Sequence, residues 1–336
     1  MKHKIVFILL SFVVLASSVI CYDKLNTDNG QKTNEYLSFT VYDSLGVNQI
    51  EGTICKYDLQ SKEVSERFKF PISAMYALGV YDEKTNSVYY CNENDNHSFE
   101  RKHTGGDQLY VHNLTTGSDR KLTDDLVAVN DIIPVDDILF VLVSRPQNSH
   151  SVALGKIDLS DGSIQYWDEP YETSSRLLSI DRVQKRLYVA IYDEEEEYAS
   201  ILANSIVPPT YTIYSYDYNL GDKRKILCEE NKLIRSVYTT DNLMLYSIGD
   251  ALTQSCTTHT FTRLIDLNTM DTLLETDDSF PEDGCLSTDK KGAYFLGTLN
   301  DFEGIIYYDF ETQEYTPVVK SDYGAIANFE LISEDK

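Results

Sequence analysis

From residue 35 onward one pattern recurs, and it restricts the fold more than any other feature of this chain. A short alternating strand runs into an Asp or Asn, a polar turn follows, and a second strand returns. Six copies are present: TICKYDLQSKEVSERF around Asp58, QLYVHNLTTGSDRKL around Asn113, ALGKIDLSDGSIQYW around Asp158, TIYSYDYNLGDKRKIL around Asp217, FTRLIDLNTMDTLLE around Asp266 and IIYYDFETQEYTPVV around Asp309. Successive anchors lie 55, 45, 59, 49 and 43 residues apart. The short anchor side chain can accept N–H groups of its own turn, and the TG, DG and GD pairs offer the positive φ that tightens it.

A second hairpin, more apolar in its returning strand, alternates with the first: GVYDEKTNSVYYC, IIPVDDILFVLV, SIDRVQKRLYVAI, VYTTDNLMLYSI and LSTDKKGAYFLGT. Two such hairpins make a four-stranded antiparallel sheet of about 45 to 50 residues, the size of one propeller blade. Five inner hairpins leave the outer hairpin at Asp58 without a partner. EYLSFTVYD (Glu35 to Asp43) and AIANFELISE (Ala325 to Glu334) remain at the two ends, and pairing them completes a sixth blade and removes exposed sheet edges. The expectation is an all-β chain forming a single six-bladed β-propeller of four-stranded antiparallel blades over residues 35–336. The crowded innermost strands should favour small residues, and Ala74, Ala77, Gly79, Ala128, Ser175, Ser179, Ser236, Gly284, Ala325 and Ala327 fall there. Outside the first 21 residues no apolar run has helical spacing.

The inner hairpins VYDEKTNSVYY, STDKKGAYFL and IDRVQKRLYV resemble the S-P-D-G-K-x-L-Y-F repeat of TolB-like and WD40-like six-bladed propellers of exported bacterial proteins. The resemblance covers nearly all of residues 35–336. It implies the architecture; the repeat itself is turn and strand chemistry and carries no activity. The short segment before the propeller does not hold the α/β domain that precedes the propeller in TolB, so the docking partners of that protein are not implied.

Lys2, His3 and Lys4 precede the apolar run Ile5 to Ile20, the order of a secretory leader. Residues 1–21 are therefore expected to export the chain to the cell envelope or beyond, either cleaved or retained as an anchor ending near Tyr22. Cys21 invites lipid attachment, against which stands Ile20, where a small residue is wanted. Residues 22–34, rich in Asn, Asp, Lys and Thr, read as a flexible tether. Contact with a membrane is expected only through the N-terminal segment. Cys55, Cys91, Cys228, Cys256 and Cys285 are odd in number and form no C-x-x-C pair, so they are expected to be buried free thiols.

With 54 acidic against 29 basic residues and a net charge of −25, the chain repels phosphate backbones, and nucleic-acid binding is not expected. The 25 Tyr and 13 Phe within a 42% hydrophobic composition exclude a disordered chain.

Propeller topology puts the loops between second and third strands on the face that also carries the blade-to-blade crossings. These loops are expected near residues 92–107, 144–151, 193–210, 249–260 and 298–304, several of them long, and long loops on a rigid scaffold are where binding concentrates. His97, His103, His150 and His259 fall there with Glu93, Asp95, Glu100, Asp107, Asp193 to Glu197 and Asp301, a set able to ligate Ca²⁺ or another divalent ion, although no H-x-H or HExxH spacing fixes a site. The run Glu194 to Glu197 reads as a solvated loop. Tyr198 and Tyr211 could offer rings to a sugar or peptide. At the axis, Asn130, Arg176, Arg235 and Asn328 occupy the early half of innermost strands, where the two arginines could hold a carboxylate or phosphate or else neutralise nearby carboxylates.

The chain has no G-x-S-x-G, P-loop or Rossmann glycine pattern. The expected function is a non-catalytic binding or scaffolding propeller that presents its loop face to an envelope or extracellular protein, a peptide or a glycan, without a cofactor. The alternative is a metal-dependent hydrolase resembling lactonase-like propellers, with Asn130, Asp131, Asn328 and Asp181 as candidate ligands.

Overall fold

The computed structural model describes residues 34–46, 49–72, 78–93, 106–167, 169, 172–204, 207–251, 260–277, 283–321 and 324–334. The leader, nearly all of the tether, Ala74 and Ala77 lie outside them. Glu35–Ile332 form one compact unit. Among the described residues no helix is long and apolar enough to cross a membrane.

The hairpin repeats fold as six four-stranded antiparallel sheets. The first contains β1 (Asn34–Gly46), β2 (Gln49–Asp58) and β3 (Val64–Ile72). The second is β4 (Gly79–Asp82), β5 (Ser87–Glu93), β6 (Asp107–Asn113) and β7 (Ser118–Lys121), and the third β8 (Ala128–Val135), β9 (Ile138–Arg145), β10 (Asn148–Asp158) and β11 (Ile164–Tyr166). The fourth is β12 (Thr173–Asp181), β13 (Arg186–Asp193), β14 (Tyr211–Asp217) and β15 (Arg224–Glu229). The fifth is β16 (Leu233–Thr240), β17 (Leu243–Gly249), β18 (Thr260–Asp266) and β19 (Thr272–Thr276); the sixth is β20 (Asp283–Leu286), β21 (Gly292–Leu299), β22 (Phe302–Asp309) and β23 (Tyr315–Lys320). The last strand, β24 (Ala325–Glu334), adds to the inner edge of β1, giving the order β24-β1-β2-β3. The terminal strands thus close the ring, as the sequence predicts.

Six apolar clusters fill the six seams between neighbouring blades. This explains why second strands such as β9, ILFVLVSR, are buried nearly end to end: each face of the strand meets another blade. The outermost strands β7 and β19 carry mostly exposed side chains. In the closing seam a cavity of about 170 Å³ opens among Phe39, Val41, Cys55, Tyr57, Val318 and Val319.

The six anchors act as the sequence implies. Asp58 Oδ1 accepts the N–H of Gln60 and Ser61, Asn113 Oδ1 those of Thr115 and Thr116, and Asp309 Oδ1 those of Glu311 and Thr312. Asp158, Asp217 and Asp266 accept in the same way. The positive φ is less tied to glycine than the dipeptides suggest. Gly117 and Gly162 supply it in two turns, but Lys62, Met270 and Gln313 do so in three others, and beside Gly221 it falls on Leu220 and Asp222. The carboxylate or amide bonds of the anchor hold the backbone of these residues in a conformation that non-glycine residues rarely adopt.

Three expectations need correction. Residues 144–151 and 298–304 are mostly strand rather than loop, because β9–β10 and β21–β22 continue into tight two-residue turns at Pro146-Gln147 and Asn300-Asp301. His150 therefore sits in strand β10 rather than in a loop. The acidic run is not a loop either: Glu194–Leu202 is a helix, α1, because Asp193 caps it through the Glu196 N–H at 3.0 Å and four glutamates complement the positive end of its dipole. Cys55, Cys91 and Cys285 are buried free thiols, whereas Cys228 is exposed.

Candidate functional site

Asn130, Arg176 and Arg235 share a backbone feature that no sequence signal marks. Each is the extra residue of a β-bulge in an innermost strand, where register shifts between Val129 and Asp131, between Ser175 and Leu177, and between Ile234 and Ser236. Bulges re-aim a side chain and leave the extra residue outside the ladder. Three consecutive blades thus present one unladdered polar residue each, near the loop-side ends of β8, β12 and β16.

The side chains then diverge. Arg176 is exposed, and its charge lies close enough to Tyr192 and Tyr211 of its own blade to oppose the rise that burial imposes on both phenols. Arg235 lies over Gly249 at the end of β17, where a Cβ would sit 2.7 Å from its Nε. Asn328 Nδ2 donates to the Gly79 carbonyl at 3.1 Å, tying β24 to the second blade. Among the described residues, Asn130 Oδ1, Asn328 Oδ1 and Ser175 Oγ are buried atoms with no hydrogen-bond partner.

Deeper along the axis the lining is acidic, which the sequence does not announce. Asp131 on β8 and Asp283 on β20 belong to the third and sixth blades, opposite one another around a six-membered ring. Burial pushes the Asp131 carboxyl up to about 7, the nearby charge of Glu330 adds to this, and the backbone N–H groups of Ile132 and Leu178 oppose it. Burial likewise pushes Asp283 up to about 7 against the Gly284 and Phe329 N–H groups, with Asp131 and Glu330 adding repulsion. Glu330 on β24 is raised by burial too, while Arg182 lowers it. All three are only partly exposed. The innermost strands bury most of each carboxyl without removing it wholly from solvent.

Asp181, a candidate metal ligand, closes the turn at the opposite face. Its Oδ1 accepts the N–H groups of Val183 and Gln184, and its Oδ2 accepts that of Asn242 in the next blade. Among the described residues no three His, Cys, Asp or Glu side chains gather in a way that could hold a metal. His97, His103 and His259 lie outside the described residues, as does the side chain of His150.

The two tyrosines separate. Tyr198 is exposed on α1, but Tyr211 is fully buried against Tyr192, ring centroids 5.1 Å apart, and offers no face to a ligand. Its place at the start of β14, inside the seam between the fourth and fifth blades, explains the difference.

No protein-family model matches the chain, and no curated protein sequence matches it. Solved structures do. TolB from Acinetobacter baumannii superposes with a TM-score of 0.62 at 12% identity, over 93% of this chain and 69% of that one. The crystal structure of a nidogen/laminin complex gives 0.60 at 12% identity, over 88% of this chain and 98% of that one. An oligogalacturonate lyase in complex with manganese gives 0.54 at 12% identity, over 77% and 73%. The chain has the TolB-like β-propeller fold, and at this identity the likeness extends to the fold alone.

Proposed function

We propose that this propeller is an exported, non-catalytic binding module that receives polar groups of a protein, peptide or glycan at the loop-side mouth of its axis. The observation that supports this is the set of unpartnered buried polar atoms on innermost strands, Asn130 Oδ1, Ser175 Oγ and Asn328 Oδ1, beside the bulged Arg176 and Arg235. Buried polar atoms are nearly always paired, so atoms left without partners on innermost strands are suited to groups supplied by a ligand. The arginines add charge-assisted bonds to a carboxylate or phosphate on that ligand. Export rests on the leader-like residues 1–21.

The hydrolase alternative would recruit Asp131, Asn130 and Asn328 to a metal, but Asp131 is already engaged by backbone N–H groups of β8 and β12. The test is binding of purified protein to glycan and peptide arrays, repeated with Arg176→Ala/Arg235→Ala. A ligand whose affinity falls at least tenfold in the double variant supports the proposal. Unchanged binding, or stoichiometric metal in the purified protein together with ester turnover, overturns it.

A further inference from the structure

Helix α1 leaves its large apolar side chains in solvent. Within it only Glu194, Glu197 and Ser200 are half-buried. Tyr198, Ile201 and Leu202, spaced i, i+3 and i+4, are 63%, 56% and 66% exposed, and Val207 just beyond the helix is 42% exposed. No residue of the helix is buried. Its ties to the body are polar: the Asp193 cap, the Ser200 hydroxyl donating to the Val207 carbonyl at 3.0 Å, and the Thr210 hydroxyl donating to Glu196 Oε1 at 3.4 Å. Of the ten large apolar side chains exposed among the described residues, four fall within Tyr198–Val207 and the others are scattered. A surface helix normally turns such residues inward, so a concentrated outward patch marks an interaction site.

We infer that α1 is a docking helix that places Tyr198, Ile201 and Leu202 in the apolar groove of a partner protein with a basic rim. The i, i+3, i+4 spacing is that of helix-in-groove recognition. Charge selects the occupant. The helix carries Glu194, Glu195, Glu196 and Glu197 with no basic residue in its last turn, on a chain of net charge −25. A second copy and an anionic lipid surface are both repelled, whereas lysines or arginines beside a groove are attracted. The inference rests on the loop-face binding proposed above and names the partner class for it.

The test places a photo-crosslinking residue at Tyr198 in the full chain, in cells that produce it. The cross-linked protein is then purified and titrated against the wild type, Ile201→Asp/Leu202→Asp, Glu195→Lys/Glu196→Lys and, as control, Val183→Asp, an equally exposed apolar site in the turn between β12 and β13 at the opposite face. Expected results are a Kd weakened at least 30-fold by the apolar pair, a several-fold loss of association rate for the charge pair, and no change for Val183→Asp. Circular dichroism melts check that the variants fold, since every substituted side chain is exposed. Absence of an adduct, an unmoved Kd in Ile201→Asp/Leu202→Asp, self-association abolished by that pair, or binding to phosphatidylglycerol vesicles would each overturn the inference. Loss of binding in Arg176→Ala/Arg235→Ala with silence of the helix variants sinks the inference but keeps the loop-face reading. Silence of both sinks both.

Discussion

Asp283 Oδ2 accepts the backbone N–H of Phe329 at 3.4 Å, so a carboxyl of the sixth blade reaches across to the inner edge of the strand that closes the first. Innermost strands have one side without a ladder, and their N–H groups need acceptors. Asp131 serves the same end between the third and fourth blades. Burial makes these acceptors costly to ionise.

Stability should therefore depend on pH through this pair. The folded-state value near 7 lies above the ordinary 3.8, so folding favours the protonated form. The contribution is complete below about pH 4 and is lost as pH rises through 7. Urea unfolding at pH 5.5 and pH 8.5 should show Asp283→Asn removing about 1 to 2 kcal/mol of the wild-type difference, less than the full shift implies because solvent reaches the site. An unchanged pH slope in the variant would count against the axial arrangement.

Asn113 does more than cap its turn. It accepts from Thr115, Thr116 and the Thr116 hydroxyl, and its amide donates to the Thr85 carbonyl and the Ser87 hydroxyl of the inner hairpin. Asn113→Ala should cost about 1 to 2 kcal/mol. Asn113→Asp keeps the acceptor and should cost less; chemical denaturation of both variants distinguishes cap from cross-hairpin bond.

Two glycines with positive φ should respond differently to alanine. At Gly304, φ 146°, a Cβ would lie 2.0 Å from the Val319 carbonyl oxygen, whereas at Gly117, φ 69°, nothing lies within 4 Å. Gly304→Ala should cost about 3 kcal/mol or more, Gly117→Ala about 1. Equal melting temperatures for the two variants would contradict the register of β22 against β23.

Removal of residues 325–336 takes away β24 with buried Ile326 and Phe329 and the Asn328 bond to Gly79. It also bares the inner edge of β1. The truncated chain should lose its cooperative melt and aggregate. A soluble, cooperatively melting product would show that closure by the terminal strands is dispensable.

The chain itself determined the blades, their number and the turns, because strand alternation and Asx-type anchoring at Asp58 or Asn113 are local chemistry that repeats. Pairing of the two ends followed because one hairpin was left over. Only the tertiary structure decided which side chains face what. Asn130, Arg176 and Arg235 stand out by their bulges, which come from ladder register and leave no trace in residue type. Asp131, Asp283 and Glu330 feel one another's charge because blades remote in sequence converge on one axis, and Tyr211 is buried because a neighbouring blade covers it. The exposure of Tyr198, Ile201 and Leu202 on α1 likewise depends on how a nine-residue helix with only polar bonds to its neighbours sits on the fold, which residue spacing does not state.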